Sequence, residues 1–153
     1  MGYRINKKMP FTITERRGKG GDITVIRHNA TGLKTMAVNG KCKTPKGLSN
    51  SNLLNNSIRF IGYQLLRQFP DLFNQDRNTT IFTYSLPSVE DRETCRGLHY
   101  SFTYTMNGGS DIETAISQVL PLIPSINEKI SVCTIQALEQ ASDLSAHRGR
   151  PPL

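Results

Sequence analysis

Apolar positions along the chain recur with two periods, and the period changes mark out the elements. Phe11-Thr12-Ile13-Thr14 alternates like a short strand, and Arg16-Arg17-Gly18-Lys19-Gly20-Gly21 reads as a flexible cationic turn. Asp22 to His28 is rich in β-branched residues and predicts a second strand. Leu33 to Val38 predicts a third, closed by Asn39-Gly40, a strong hairpin signal from which Lys41-Cys42-Lys43 would return. From Ser51 to Phe69 the pattern changes. Leu54, Ile58, Ile61, Leu65 and Phe69 fall at spacings of 4, 3, 4 and 4, one stripe of a helix that Ser49 or Ser51 can cap and Pro70 stops. Gly62, inside it, either permits close packing or weakens it.

Alternation returns at Thr79 to Leu86, with Phe82, Tyr84 and Leu86 on one face, and Pro87 to Thr94 reads as a charged loop. Leu98, Tyr100, Phe102, Tyr104 and Met106 alternate without a break with His99, Ser101, Thr103 and Thr105, which predicts the best strand of the chain. After the Asn107-Gly108-Gly109 turn, Ser110 and Glu113 have the spacing of a capping box and open a short helix ended by Pro121 and Pro124. Ser125 and Glu128 repeat that spacing and favour a helix running toward Leu144, although Ile130, Val132 and Ile135 are compatible with a strand. The order β-β-β-α-β-β-α, closed by a helix or a strand, predicts an α+β fold, a mainly antiparallel sheet with two or three helices packed on one side. The organisation expected is a basic arm over residues 1–9, a single domain over 10–144 and a disordered tail over 145–153.

Composition narrows the class. With 37% hydrophobic residues among 153, the chain holds enough apolar matter for one modest core. No apolar run is long enough to span a bilayer, and the first residues lack the apolar stretch of a signal peptide. Gly2 invites a lipidation reading, but Asn6 stands where Ser or Thr is wanted. Cys42, Cys95 and Cys133 are odd in number and widely spaced, which argues against a disulfide framework and structural zinc and suits a reducing compartment. The expected location is intracellular, cytoplasm or nucleus, with peripheral membrane association compatible and secretion not.

Charge changes the picture most. Residues 1–50 hold eleven basic side chains against Glu15 and Asp22 alone, leaving +9, whereas the other 103 residues hold eight basic and ten acidic ones. So many uncompensated charges in one segment repel each other unless an anion gathers there. Lys7, Lys8, Arg16, Arg17, Lys19, Lys41, Lys43 and Lys46 are the candidate polyanion contacts.

The remaining motifs do not carry chemistry. Gly18-Lys19-Gly20-Gly21 lacks the phosphate-loop spacing. Cys95 and His99, if both lie on one strand, would stand about 13 Å apart, too far for a nucleophile and its base. His28 and His147 have no visible partners. Arg96-Gly97-Leu98-His99-Tyr100-Ser101-Phe102 departs from the central RNA-recognition motif at Leu98, His99 and Thr103. Nine of eleven aromatics lie between Phe60 and Tyr104, outside the basic third, so core packing accounts for the Tyr100, Phe102 and Tyr104 stripe. Arg148-Gly149-Arg150-Pro151 matches the heart of a minor-groove hook, in one copy and without the preceding proline.

These features predict a non-enzymatic structural or interaction protein with no catalytic residue, no metal and no cofactor. Its expected partner is nucleic acid or nucleoprotein, with an anionic membrane surface and a homo-oligomer compatible and no small-molecule substrate evident. In build it resembles small viral matrix or nucleocapsid-associated proteins. The alternatives are a sequence-tolerant RNA-binding regulator such as a silencing suppressor, or a small hydrolase or nuclease.

Overall fold

A computed structural model of the chain describes residues 9–43, 51–76, 81–85 and 97–131. Within them, β1 (Phe11–Gly18), β2 (Gly21–His28) and β3 (Lys34–Cys42) are followed by helix α1 (Ser51–Gln68). Then come β4 (Ile81–Ser85), β5 (Leu98–Thr105), α2 (Ile112–Val119), a 3-10 turn (Leu120–Leu122) and α3 (Ile123–Ser131). The five strands form one antiparallel sheet in the order β1-β2-β3-β5-β4, so the fold is α+β. Among the described residues no helix is long and apolar enough to cross a membrane. The arm through Lys8, the Ser49 cap, the Pro87–Thr94 loop, the continuation of α3 toward Leu144 and the tail from Ser145 lie outside the described residues. So do Lys7, Lys46, Leu86, Cys95, Cys133 and His147.

One sheet face is buried and the strand alternation shows which. Ile23 and Val25 on β2, Met36, Val38 and Cys42 on β3, and Leu98, Tyr100, Phe102 and Tyr104 on β5 all lie on it. The helices cover that face. From α1, Leu54, Ile58, Leu65 and Leu66 enter the core, and from α2 and α3 come Ala115, Ile116, Val119, Ile123, Ile126 and Ile130. Each fully buried aliphatic or aromatic side chain contributes about 1.5–3 kcal/mol relative to exposure. The aromatic stripe is therefore core, as its alternation predicts. Phe73, just past α1, stacks on Tyr104 at 4.6 Å, and the Tyr104 hydroxyl donates to the Gly62 carbonyl at 2.7 Å. Gly62 is there for close packing, because a Cβ would come within 2.8 Å of the Phe82 ring.

Three local expectations fail for tertiary reasons. Arg16 to Gly21 is not a flexible turn: β1 runs to Gly18, and only Lys19 and Gly20 make the reversal, with Gly20 at φ +85°. Nor is Asn39-Gly40 a hairpin. β3 runs through it because both its flanks are taken, Asn39 pairing with Asp22 and Ser101, and Gly40 with Gly21 and Tyr100. The cap of α2 is Asp111, one residue later than expected. Its carboxylate accepts from the Thr114 amide at 2.9 Å, while the Ser110 hydroxyl donates to the Asp71 and Leu72 carbonyls. α2 ends at Val119, just before Pro121, which sits in the first turn of the 3-10 segment that leads into α3. Ile123–Ser131 is helix, which resolves the helix-or-strand ambiguity for those residues.

Candidate polyanion interface

The antiparallel register brings one end of the sheet together from three separate stretches of chain. The β1–β2 reversal puts Lys19 there, with Arg17 just before it, and the Lys41 amide donates to the Gly20 carbonyl at 3.1 Å. The end of β3 therefore lies beside that reversal and carries Lys41 and Lys43. Close approach needs glycine at two points: a Cβ on Gly21 would meet the Asn39 carbonyl oxygen at 2.0 Å, and one on Gly18 the Leu120 side chain at 2.9 Å. Asn127 on α3 locks the same corner. Its amide donates to the Gly20 carbonyl at 3.0 Å, and its carbonyl oxygen accepts from the Tyr100 hydroxyl at 2.6 Å.

Arg17, Lys19, Lys41 and Lys43 are all exposed, and their side chains make no hydrogen bond or ion pair with other described residues. By strand parity Arg17 and Lys41 lie on the uncovered face of the sheet. Lys19 and Lys43 flank a concavity of about 630 Å³ on the helix side, with Gly20, Cys42, Pro124, Asn127, Glu128 and Ser131. Two carboxylates temper the four cations: Asp22, cross-strand from Arg17 and accepting from Asn39 at 2.9 Å, and Glu128 on the concavity wall. His99 is the cross-strand partner of Lys41, beside a shallow groove of about 300 Å³ lined by Asn39, Thr83, Ser85 and Ser101. Nothing in the spacing of residues 39, 41, 83, 85, 99 and 101 reveals that neighbourhood; only register does.

The other basic residues of the first third part company with this end. Arg16, also a predicted contact, lies on the opposite face from Arg17 and pairs with Glu113 of α2 at 2.6 Å. Lys34 is buried, its ammonium donating to the carbonyls of Gly108 and Ser110, so it fastens the turn before α2. Arg27 is exposed on the strand next to Lys34, at the far end of the sheet. Lys7, Lys8 and Lys46 lie outside the described residues. Among the described residues the basic side chains of the first third thus resolve into four cations at one end of the sheet, Arg27 at the other, one surface ion pair and one internal fastening.

Among the described residues, no three His, Cys, Asp or Glu side chains are grouped so that they could hold a metal ion. His99 is exposed on the sheet face, and His28 meets Phe11 edge-on at 6.5 Å. Burial pushes the Tyr100 phenol well above its ordinary range, with Cys42 adding to the rise. Tyr104 moves the same way, again chiefly through burial. Both phenols stay neutral donors in the core. No family model, curated protein or solved structure matches the chain.

Proposed function

We propose that the protein is a non-enzymatic interaction protein that binds a polyanion at this end of its sheet, through Arg17, Lys19, Lys41 and Lys43. The observation that carries the reading is the gathering of four exposed cations, from separate stretches of chain, without described partners of their own. Such charges favour a phosphate-rich surface and contact backbone rather than bases. The aromatics that would stack on bases are committed to the core: Tyr100, Phe102 and Tyr104 are at most 3% exposed. Lys7, Lys8 and Lys46 extend the same basic segment in sequence, and Arg16, held by Glu113, contributes least. The role that fits this build is that of a small viral matrix or nucleocapsid-associated protein, working in the cytoplasm or nucleus and joining nucleoprotein to other surfaces.

The test is binding of the purified chain to duplex RNA, single-stranded RNA and anionic vesicles across a salt series. Four neutralised phosphates predict an affinity loss of about 50- to 150-fold between roughly 50 and 200 mM salt. Alanine at Lys19, Lys41 or Lys43 should each flatten the logarithmic salt slope by about 0.7–0.9, and Arg16→Ala should flatten it less. A strong preference for duplex RNA would move the assignment to a duplex-reading regulator. No binding to any of the three would leave the cluster a solvated surface and end the proposal.

A further inference from the structure

A count of basic residues treats histidine as neutral, yet the register sets one of the three histidines inside the basic end of the sheet. His99 on β5 is the direct cross-strand partner of Lys41 on one side and of Ser85 on the other. Direct partners on one face of an antiparallel pair have Cβ atoms about 4.5–5.5 Å apart, so the imidazole and the ammonium can reach two oxygens of one phosphate. One row further in, Asn39, Ser101 and Thr83 lie side by side. With Ser85 they line the shallow groove of about 300 Å³ beside His99. It spans β3 to β4, two interstrand spacings or about 10 Å, the width of one chain. The side chains of Thr83, Ser85, His99 and Ser101 make no hydrogen bond with other described residues. Tyr84 and Tyr100 project to the helix side by strand parity, so the groove offers hydroxyls, an amide and an imidazole in place of a stacking platform.

We propose that His99 and Lys41 together hold a phosphate of a single nucleic-acid strand whose sugar–phosphate backbone continues along this groove, and that binding is thereby tied to proton uptake. The inference rests on the polyanion reading, and narrows it to one ligand class and one contact residue outside the four cations. The hydroxyls and the amide match the phosphate oxygens and sugar hydroxyls of a backbone. A bilayer surface would call for apolar side chains beside the cations, and Ile81, the nearest large one exposed on a described strand, stands two rows in from His99. The proton linkage follows from electrostatics. Imidazole changes charge between about pH 5 and 8. A phosphate that accepts from Lys41 favours the imidazolium beside it, which then donates a second charge-assisted hydrogen bond. The described charges facing His99 are few: Lys41 on β3, none on β4 or elsewhere on β5, then Asp22 on β2 and Glu15 and Arg17 on β1. Asp22 stands beyond Asn39, from which it accepts at 2.9 Å, and the helices lie on the opposite face. Residues 86–96, which join β4 to β5, lie outside the described residues. Carboxylates and ammonium groups ordinarily titrate outside the interval from about pH 6 to 8, so a response there belongs to a histidine.

Fluorescence anisotropy of a labelled single-stranded RNA tests this, as salt series at about pH 6 and about pH 8, the interval over which imidazole changes charge. The native chain should bind roughly tenfold more tightly at the lower pH. Its logarithmic salt slope should be steeper there by about 0.7, one further phosphate neutralised on a single strand. His99→Gln should show the higher-pH affinity and slope at both values. His99→Arg, whose charge does not titrate, should show the tighter binding and the steeper slope at both. His28→Gln, at the far end of the same face, and His147→Gln should respond as the native chain does, and far-UV circular dichroism checks that each variant folds. A pH response that survives His99→Gln, or a salt slope equal at the two values, overturns the inference and leaves the four-cation site standing. Duplex RNA or anionic vesicles bound more tightly than the single strand would also overturn it. Failure to bind any of the three at either pH removes the polyanion reading, and this inference with it.

Discussion

Replacing Gly40 with alanine tests whether tertiary packing, rather than a turn, explains the Asn39-Gly40 pair. An added Cβ would lie 2.1 Å from Tyr100 Cζ and 2.2 Å from its hydroxyl oxygen, where an ordinary carbon contact is about 3.5–4.0 Å. The ring has nowhere to retreat. It is 3% exposed, packs on Phe102 at 4.9 Å, and its hydroxyl is tied to Asn127, which itself holds the β1–β2 reversal. Overpacking of this kind costs about 1–3 kcal/mol. Against it, alanine narrows the unfolded ensemble by about 0.4–1 kcal/mol, and positive φ occurs at Gly20, Gly32 and Gly97, not at Gly40, so no backbone strain adds to the cost. The net expectation is a loss of about 1–2 kcal/mol, which lowers a urea midpoint by roughly 0.5–1 M at an ordinary slope. The decisive measurement is a double-mutant cycle with Tyr100→Leu. Once the ring is gone, Gly40→Ala should become neutral or stabilising, a coupling of at least about 1 kcal/mol. An equal cost in both backgrounds would refute the reasoning, and Gly40 would have to act through backbone conformation instead.

Two further perturbations separate structural charges from interface charges. Lys34→Met removes the donor that serves the Gly108 and Ser110 carbonyls, and should cost about 1–3 kcal/mol in a denaturant titration while leaving polyanion affinity intact. Lost affinity with unchanged stability would place Lys34 at the interface. Asp111 is held below the usual carboxylate range by the Thr114 amide, then by the Thr114 hydroxyl. A carboxylate depressed in the folded state stabilises it above its unfolded pKa, about 3.9, and that contribution disappears as the pH falls through the folded value. The Tm advantage of the native chain over Asp111→Asn should therefore be present at neutral pH and shrink on acidification below about pH 4. A gap that widens in acid would contradict the cap.

The strand and helix periods were legible because each is set by a residue's own backbone geometry and the face it must bury. α1, β5 and the order of elements follow from i+3/i+4 and i+2 spacing alone, and the α+β class follows from that order. The aromatic stripe at Tyr100, Phe102 and Tyr104 could be assigned to the core for the same reason. Which lysines share a surface could not be read in this way, because cross-strand neighbours have no fixed separation in sequence. Lys19 and Lys43 flank one concavity, while adjacent Arg16 and Arg17 point to opposite faces by strand parity. Local signals also lost wherever a distant partner competed for the same backbone: Asn39-Gly40 makes no turn because β2 and β5 both claim its hydrogen bonds. Sequence determined the periodicity, the element order and the fact of a basic first third. Only the tertiary register decided which cations converge, which are consumed by Glu113 or the turn before α2, and which face of the sheet the described helices cover, since each depends on contacts between residues far apart along the chain.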